Sequence, residues 1–157
     1  MAQLVIRSAS LVVAALVVGA MFGIWLGHNP ATLSAGAYVE QQQEAIRSMN
    51  VTMPALGALA IVLALLSAAK TPGGRARMLV VAGALCLVAS GVVTRFRNQP
   101  INRVVMAWSA QAPPTEWQAL RDEWWRWHVV RTSTGVVGLA LLIVGNLIPR
   151  HRSELGV

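Results

Sequence analysis

The chain has 157 residues, 55% apolar and 12% charged, with 13 Lys+Arg against 6 Asp+Glu and a formal charge of +7. A soluble domain carries about twice that share of charge, and here the apolar residues come in long blocks, which excludes a soluble enzyme, a secreted disulfide scaffold and a disordered tail. One cysteine, Cys86, closes no internal disulfide, and basic residues that flank apolar blocks rather than forming a stripe speak for a lipid bilayer as partner and against nucleic acid.

A helix crosses the hydrocarbon core, about 30 Å thick, with about 20 mostly apolar residues, and must satisfy its own backbone there. Four stretches qualify, at about 4–27, 51–69, 78–95 and 133–148. They predict an all-α, integral membrane four-helix bundle forming a single domain over 1–157. The first has the look of a signal peptide, with Arg7, an apolar run and small residues near 34–37. Its apolar stretch exceeds a signal core of about 7–15 residues, so it reads as a retained helix. Gly19, Gly23 and Gly27 share one face of it, where small residues let a neighbouring helix come close. In the connection that follows, Asn29 before Pro30 is a good helix start, with helix-compatible sequence to about Arg47.

Spans two and three are joined by Lys70-Thr-Pro-Gly-Gly-Arg-Ala-Arg77, a short basic turn. Pro100 biases Gln99 away from helix, so the third span is expected to end or kink there and to turn Asn98 and Asn102 toward an interior or a water-filled cavity. In the second long connection, Thr115 with Gln118 predicts a capping box, and nothing from Thr115 to Thr134 breaks a helix, so the fourth span extends backwards. Gly135, Gly138 and Gly145 are packing positions on it. The two long, partly helical connections therefore share one side of the membrane. The short 70–77 loop with Arg7, Arg150 and Arg152 places both termini in the cytoplasm by the positive-inside rule. Low Lys with high Ala, Val and Arg usage points to a bacterial cell membrane.

Arg121, Trp124, His128 and Arg131 fall on one helical stripe, while Asp122 and Glu123 pair with Arg126 on another face. Ionisable groups at membrane depth are costly and usually have a role. An imidazole kept neutral by a neighbouring cation can accept a proton, as a general base requires. Asn98 or Asn102 could donate to an oxyanion opposite it, Trp rings could wall a flat apolar substrate, and Asn50 reaches the same side. His28 and His128 leave a two-histidine haem or copper site conceivable, but their spacing carries no metal signature, and no metal is assigned. Cys86 is expected to pack as a small apolar residue, and His151 to lie with the terminal arginines.

Two motifs are more specific. Asn98-Gln-Pro-Ile-Asn102 resembles an Asn-x-Pro-Leu/Ile-Asn element, and Trp124-Trp-Arg-Trp-His-Val-Val-Arg-Thr132 resembles a Trp-x-x-x-His/Asn-x-x-Arg-Thr element, of the anthrone oxygenase-like family of small four-span membrane proteins. The resemblance implies a cofactor-independent, monooxygenase-like reaction of dioxygen with a flat phenolic or quinone-like ring. It implies His128 as base, Asn98 and Asn102 as orienting groups, Arg131 as anion stabiliser, and Trp124 and Trp127 as aromatic walls. Two other readings stay open: a non-enzymatic membrane binding or assembly protein, and a haem- or quinone-linked electron carrier.

Overall fold

The structure, a computed structural model, describes residues 1–148; Arg150, His151 and Arg152 lie outside them. Helix α1 (Ala2–Gly27) leads through a 3-10 turn (Pro30–Thr32) to α2 (Ala35–Met49), followed by α3 (Thr52–Lys70) and α4 (Arg75–Val93). A π-helical segment (Thr94–Asn98) continues α4 into α5 (Gln99–Val105), and α6 (Trp117–Leu147) closes the described chain. The expected all-α, four-helix membrane bundle is what forms: α1, α3, α4 with its continuation, and α6 are long and apolar enough to cross a bilayer. Helix α1 packs on α3 and α6, and α4 packs on the same two, so the four form a closed ring.

Small residues line the inside of that ring. Ala14, Ala60, Ala64 and Ala84 sit in its core with Val18, Val80 and Leu142, while Leu4, Leu16, Leu65, Val137 and Val144 face outward. Large apolar groups gain nothing by leaving lipid, so close approach of backbones holds the bundle instead. The glycines that permit it are not those of the first span. A Cβ at Gly19, Gly23 or Gly27 would meet nothing within 4 Å, which corrects the expected packing face on α1. The close contact is between α4 and α6: a Cβ on Gly83 would lie 2.8 Å from the Gly138 carbonyl, and one on Gly145 would lie 2.8 Å from Val80. Cys86 joins this seam, with its Cβ 3.0 Å from where a Gly138 side chain would begin.

Three local expectations also change. The third span neither ends nor breaks at Gln99 but runs on to Val105. In an α register the Phe96 carbonyl would seek the N–H that Pro100 lacks. The π register, in which the Gln99 N–H reaches back to the Thr94 carbonyl, widens the turn ahead of the proline and lets the helix pass. The Thr115 capping box does not form, because α6 starts two residues later with Glu116 in the cap position and no side-chain cap bond. Asn29 does cap, accepting from the Ala31 N–H at 3.0 Å, but only for the 3-10 turn; Ser34 starts α2. Helix α6 spans 31 residues without interruption, as its backward extension predicts. At the other end, Gln3 donates to the Lys70 carbonyl and Arg7 to Thr71, so the start of α1 meets the α3–α4 turn.

Candidate functional site

A cavity of about 570 Å³ opens inside the ring at the end carrying the long connections. Its inner end lies among Val17, Ala60 and Leu87, and its outer end lies between the α2–α3 corner at Asn50 and the π segment. The wall is mostly apolar, with Met21, Ile24, Ile46, Met53 and Ile61 among its residues. Polar groups enter from α2 (Gln41, Gln42), from Asn50, from the α4–α5 continuation (Ser90, Thr94, Arg95, Asn102) and from α6 (Trp124, Arg131).

Helix α6 presents Trp124, His128 and Thr132 on one buried stripe at four-residue intervals. The Trp124 indole N–H donates to Asn102 Oδ1 at 2.8 Å, and Gln42 Nε2 donates to the same oxygen at 3.4 Å. Asn102 thus fixes the ring that forms the wall and ties α2 to it. Asn98, fully buried, donates from Nδ2 to the Trp124 carbonyl at 3.0 Å. The π segment is thereby fastened to α6 just where Trp124 emerges. Gln43 holds α2 over the end of α5, donating to the Val105 and Trp108 carbonyls at 3.0 and 2.9 Å.

Of the two arginines that line the cavity among the described residues, Arg95 is exposed and Arg131 is half-buried. Its Nε and Nη2 point at His128 Nδ1 at 3.2 and 2.9 Å, and its Nη1 reaches Thr94 Oγ1 at 3.4 Å. Thr94 donates to the Ser90 carbonyl, and Ser90 to the Arg131 carbonyl. A guanidinium only donates, so Nδ1 is the acceptor and the imidazole carries its proton on Nε2. No carboxylate among the described residues pairs with Arg131. Among the described residues the ion pairs are Arg47–Glu44 on α2 and Arg121–Asp122 at the start of α6. Arg131 is thus a half-buried cation facing a mostly apolar cavity, with no carboxylate beside it among the described residues.

A family model described as Anthrone oxygenase matches residues 43–141, well over half of the chain. The chain belongs to the anthrone oxygenase family. No curated protein and no solved structure matches. The matched stretch holds both motifs and every polar group described above except Gln42, whereas α1, which supplies Met21 and Ile24 to the cavity, lies outside it.

Against this family frame, the residues expected from the sequence divide into two groups. Asn50, Asn102, Trp124 and Arg131 line the cavity. Asn98, Trp127 and His128 do not. Asn98 is a buried tie between segments. Trp127 points elsewhere, with the Arg97 guanidinium 4.6 Å and that of Arg126 5.7 Å from its ring; it is a bracket for arginines rather than a cavity wall. His128 is fully buried behind Arg131 and Trp124, stacked on the Trp124 ring at 5.1 Å with the planes 1° apart, and flanked by Trp125 at 5.5 Å. Its Nε2 has no hydrogen-bond partner. The expected pairing of Arg126 with Asp122 or Glu123 is absent, because Asp122 takes its neighbour Arg121 at 2.8 Å.

Three participants were not foreseen from sequence. Thr94, at the end of α4, reaches Arg131 on α6, a contact between helices that no residue pattern announces. Gln42 and Tyr38 come from α2, where Tyr38 is almost fully buried, packs on Trp117 at 5.5 Å and touches the cavity. Burial pushes the Tyr38 phenol up to about 12, against the pull of Arg121 and with a small push from Asp122. Among the described residues no group of three or more His, Cys, Asp or Glu gathers as a metal site. His28 lies exposed at the cavity rim, while His128 lies behind its wall.

Proposed function

We propose that this member of the anthrone oxygenase family is a membrane oxidoreductase that takes a flat, bilayer-soluble phenolic ring into the cavity and oxidises it with dioxygen. The observation that carries the reading is Arg131, a cation without a carboxylate partner on an apolar wall beside an aromatic face. A fused aromatic ring with one acidic oxygen is the shape and charge this arrangement accepts. The ring stacks on Trp124, its oxygen meets Arg131, and Asn102 keeps Trp124 in place. Entry from the membrane suits such a substrate, since the cavity reaches Val92 and Phe96, which are turned outward.

The chemistry follows from stabilising that anion. An anthrone-type ring carries a methylene opposite its carbonyl, and loss of a proton from the methylene gives an extended enolate with its charge on oxygen. Arg131 holds the charge. His128 Nδ1, held behind the guanidinium, faces the oxygen end of the ring and not the methylene opposite it, so it orients Arg131 and the methylene proton passes to water. The carbanion form then passes one electron to dioxygen, and the resulting radical and superoxide combine at that carbon. The peroxide accepts a proton, its O–O bond breaks, and the second hydrogen leaves the carbon with the departing oxygen as water. A methylene and one dioxygen yield a carbonyl and one water, with no external reductant. His128 acts one layer back, so the direct contact with substrate falls to Arg131, Trp124 and Asn102.

The test is dioxygen uptake by protein reconstituted in lipid, with an anthrone as probe. One dioxygen consumed per quinone formed, above the rate in empty vesicles and lost in Arg131→Gln, supports the reading. Equal rates with and without protein overturn it. We further propose that both termini face the cytoplasm, on the strength of the basic 70–77 turn.

A further inference from the structure

The end of the molecule opposite the cavity carries a second unpaired cation. Arg7 on α1 is 8% exposed, and its one hydrogen bond runs from Nη2 to Thr71 Oγ1 at 3.4 Å; Nε has no partner. Thr71, 3% exposed, donates in turn to the Ser67 carbonyl at 2.7 Å, so its hydroxyl is held facing the guanidinium. One turn further in, Ser10 on α1 and Ser67 on α3 are fully buried, and neither hydroxyl finds a partner. Lys70, Arg75 and Arg77 surround the same end, and among the described residues no Asp or Glu lies there: Glu40, Glu44, Glu116, Asp122 and Glu123 are all on the long connections or the start of α6.

Surface cations at a membrane face require no special ligand, because headgroups and water surround them. Arg7 differs in being enclosed, with its own Nε and the two serine hydroxyls beside it left without partners, so that donors are free for a ligand. The depth identifies the class of ligand. At about 1.5 Å per residue α1 is about 39 Å long against a core of about 30 Å, so Arg7, about 8 Å from its start, lies near the boundary between hydrocarbon and headgroups, where a side chain of its length reaches lipid phosphates. A guanidinium fork matches phosphate oxygens in pairs, and hydroxyls beside it supply further donors.

We propose that the α1–α3 seam at the terminal end is a binding site for a phosphate group, with Arg7 as its buried contact, Thr71 as the residue that aims it, and Ser10 and Ser67 as donors at its floor. An anionic phospholipid headgroup or a free phosphate ion presents this chemistry. The site is separate from the cavity and does not depend on the reaction proposed there.

The full chain would be placed in nanodiscs of phosphatidylcholine, with or without phosphatidylglycerol, and in phosphatidylcholine with added inorganic phosphate, and its melting temperature followed. Phosphatidylglycerol is expected to raise the melting temperature of the wild type, Arg7→Gln to remove most of that rise, and the double variant R75Q/R77Q to keep most of it. A rise with the lipid alone assigns the headgroup as ligand; an equal rise with inorganic phosphate assigns the free ion. In a titration Arg7→Gln should weaken the response about tenfold or more, the worth of one charge-assisted contact. If Arg7→Gln does not accumulate, Thr71→Val, which removes only the aiming hydroxyl, should shift the titration midpoint several-fold with an unchanged melting temperature in phosphatidylcholine. The proposal is overturned if wild type responds to neither source. It is equally overturned if Arg7→Gln or, in its place, Thr71→Val responds as wild type does, or if R75Q/R77Q loses the rise with Arg7 intact.

Discussion

Replacing Arg131 by Gln separates binding from folding. The side chain touches His128 Nδ1 and Thr94 Oγ1 and has no carboxylate to leave stranded. Gln can still donate one bond to the imidazole, so the stability cost should stay within about 1 kcal/mol. The ligand loses much more. A unit charge 4 Å from a phenolate is worth roughly 4 kcal/mol at an effective dielectric of 20, but solvation of the free partners reduces a charge-assisted hydrogen bond to about 1.5–3 kcal/mol net. That corresponds to about 10- to 150-fold in affinity. The assay is quenching of Trp fluorescence on titration with a hydroxylated tricyclic quinone and with the same ring lacking its hydroxyls. Arg131→Gln should weaken the hydroxylated ligand by that factor and leave the other within about twofold, with the melting temperature nearly unchanged. Equal weakening of both ligands, or none, would refute the assignment of Arg131 as the anion contact.

The packing makes opposite predictions for two sets of glycines. Gly83→Ala forces a methyl against the Gly138 carbonyl and should cost about 1–3 kcal/mol in denaturation, whereas Gly23→Ala meets open space and should be neutral or stabilising by up to about 1 kcal/mol. Asn98→Ala removes the bond to the Trp124 carbonyl from a fully buried position and should cost about 1–3 kcal/mol of stability. Asn102→Ala should chiefly free the Trp124 indole, read as a change in Trp emission and in ligand affinity. Tyr38 is the chain's single tyrosine, so tyrosinate absorbance reports it alone. The midpoint should lie near 12 in the fold and near 10 once unfolded. Because the folded protein holds that proton more tightly, its contribution to stability is complete below pH 10 and is lost as pH rises toward 12; Tyr38→Phe should flatten that slope. A reporter fused after Val157 should be active in the cytoplasm, and activity outside would reverse the assignment of sides.

The spans were legible in the sequence because a hydrocarbon core admits only long apolar helices, and α6 could be extended back to its Trp-rich turn because nothing there breaks a helix. The glycine face was misread on α1 because spacing alone does not say which side meets a neighbour; Gly83, unremarkable in sequence, shares the tightest contact with Gly145, which was expected as a packing position. Pro100 read as a break because an α register cannot accommodate it, and the π segment that does so has no residue signature. Of the candidate site, the motif residues on one helix face were found together, but depth was not legible. His128 and Arg131 are three residues apart, and only packing decides that Arg131 meets the cavity while His128 stands behind it. Tyr38 and Gln42 depend on how α2 folds back over α5, a long-range arrangement set by Gln43 and its two carbonyl partners.

The most direct measurement is an experimental structure of the protein in lipid with a hydroxylated tricyclic quinone bound. The account predicts the ring inside the bundle against Trp124, with one of its oxygens within hydrogen-bond distance of the Arg131 guanidinium. A ligand bound elsewhere, or seated in the cavity with its oxygens turned away from Arg131, would contradict it.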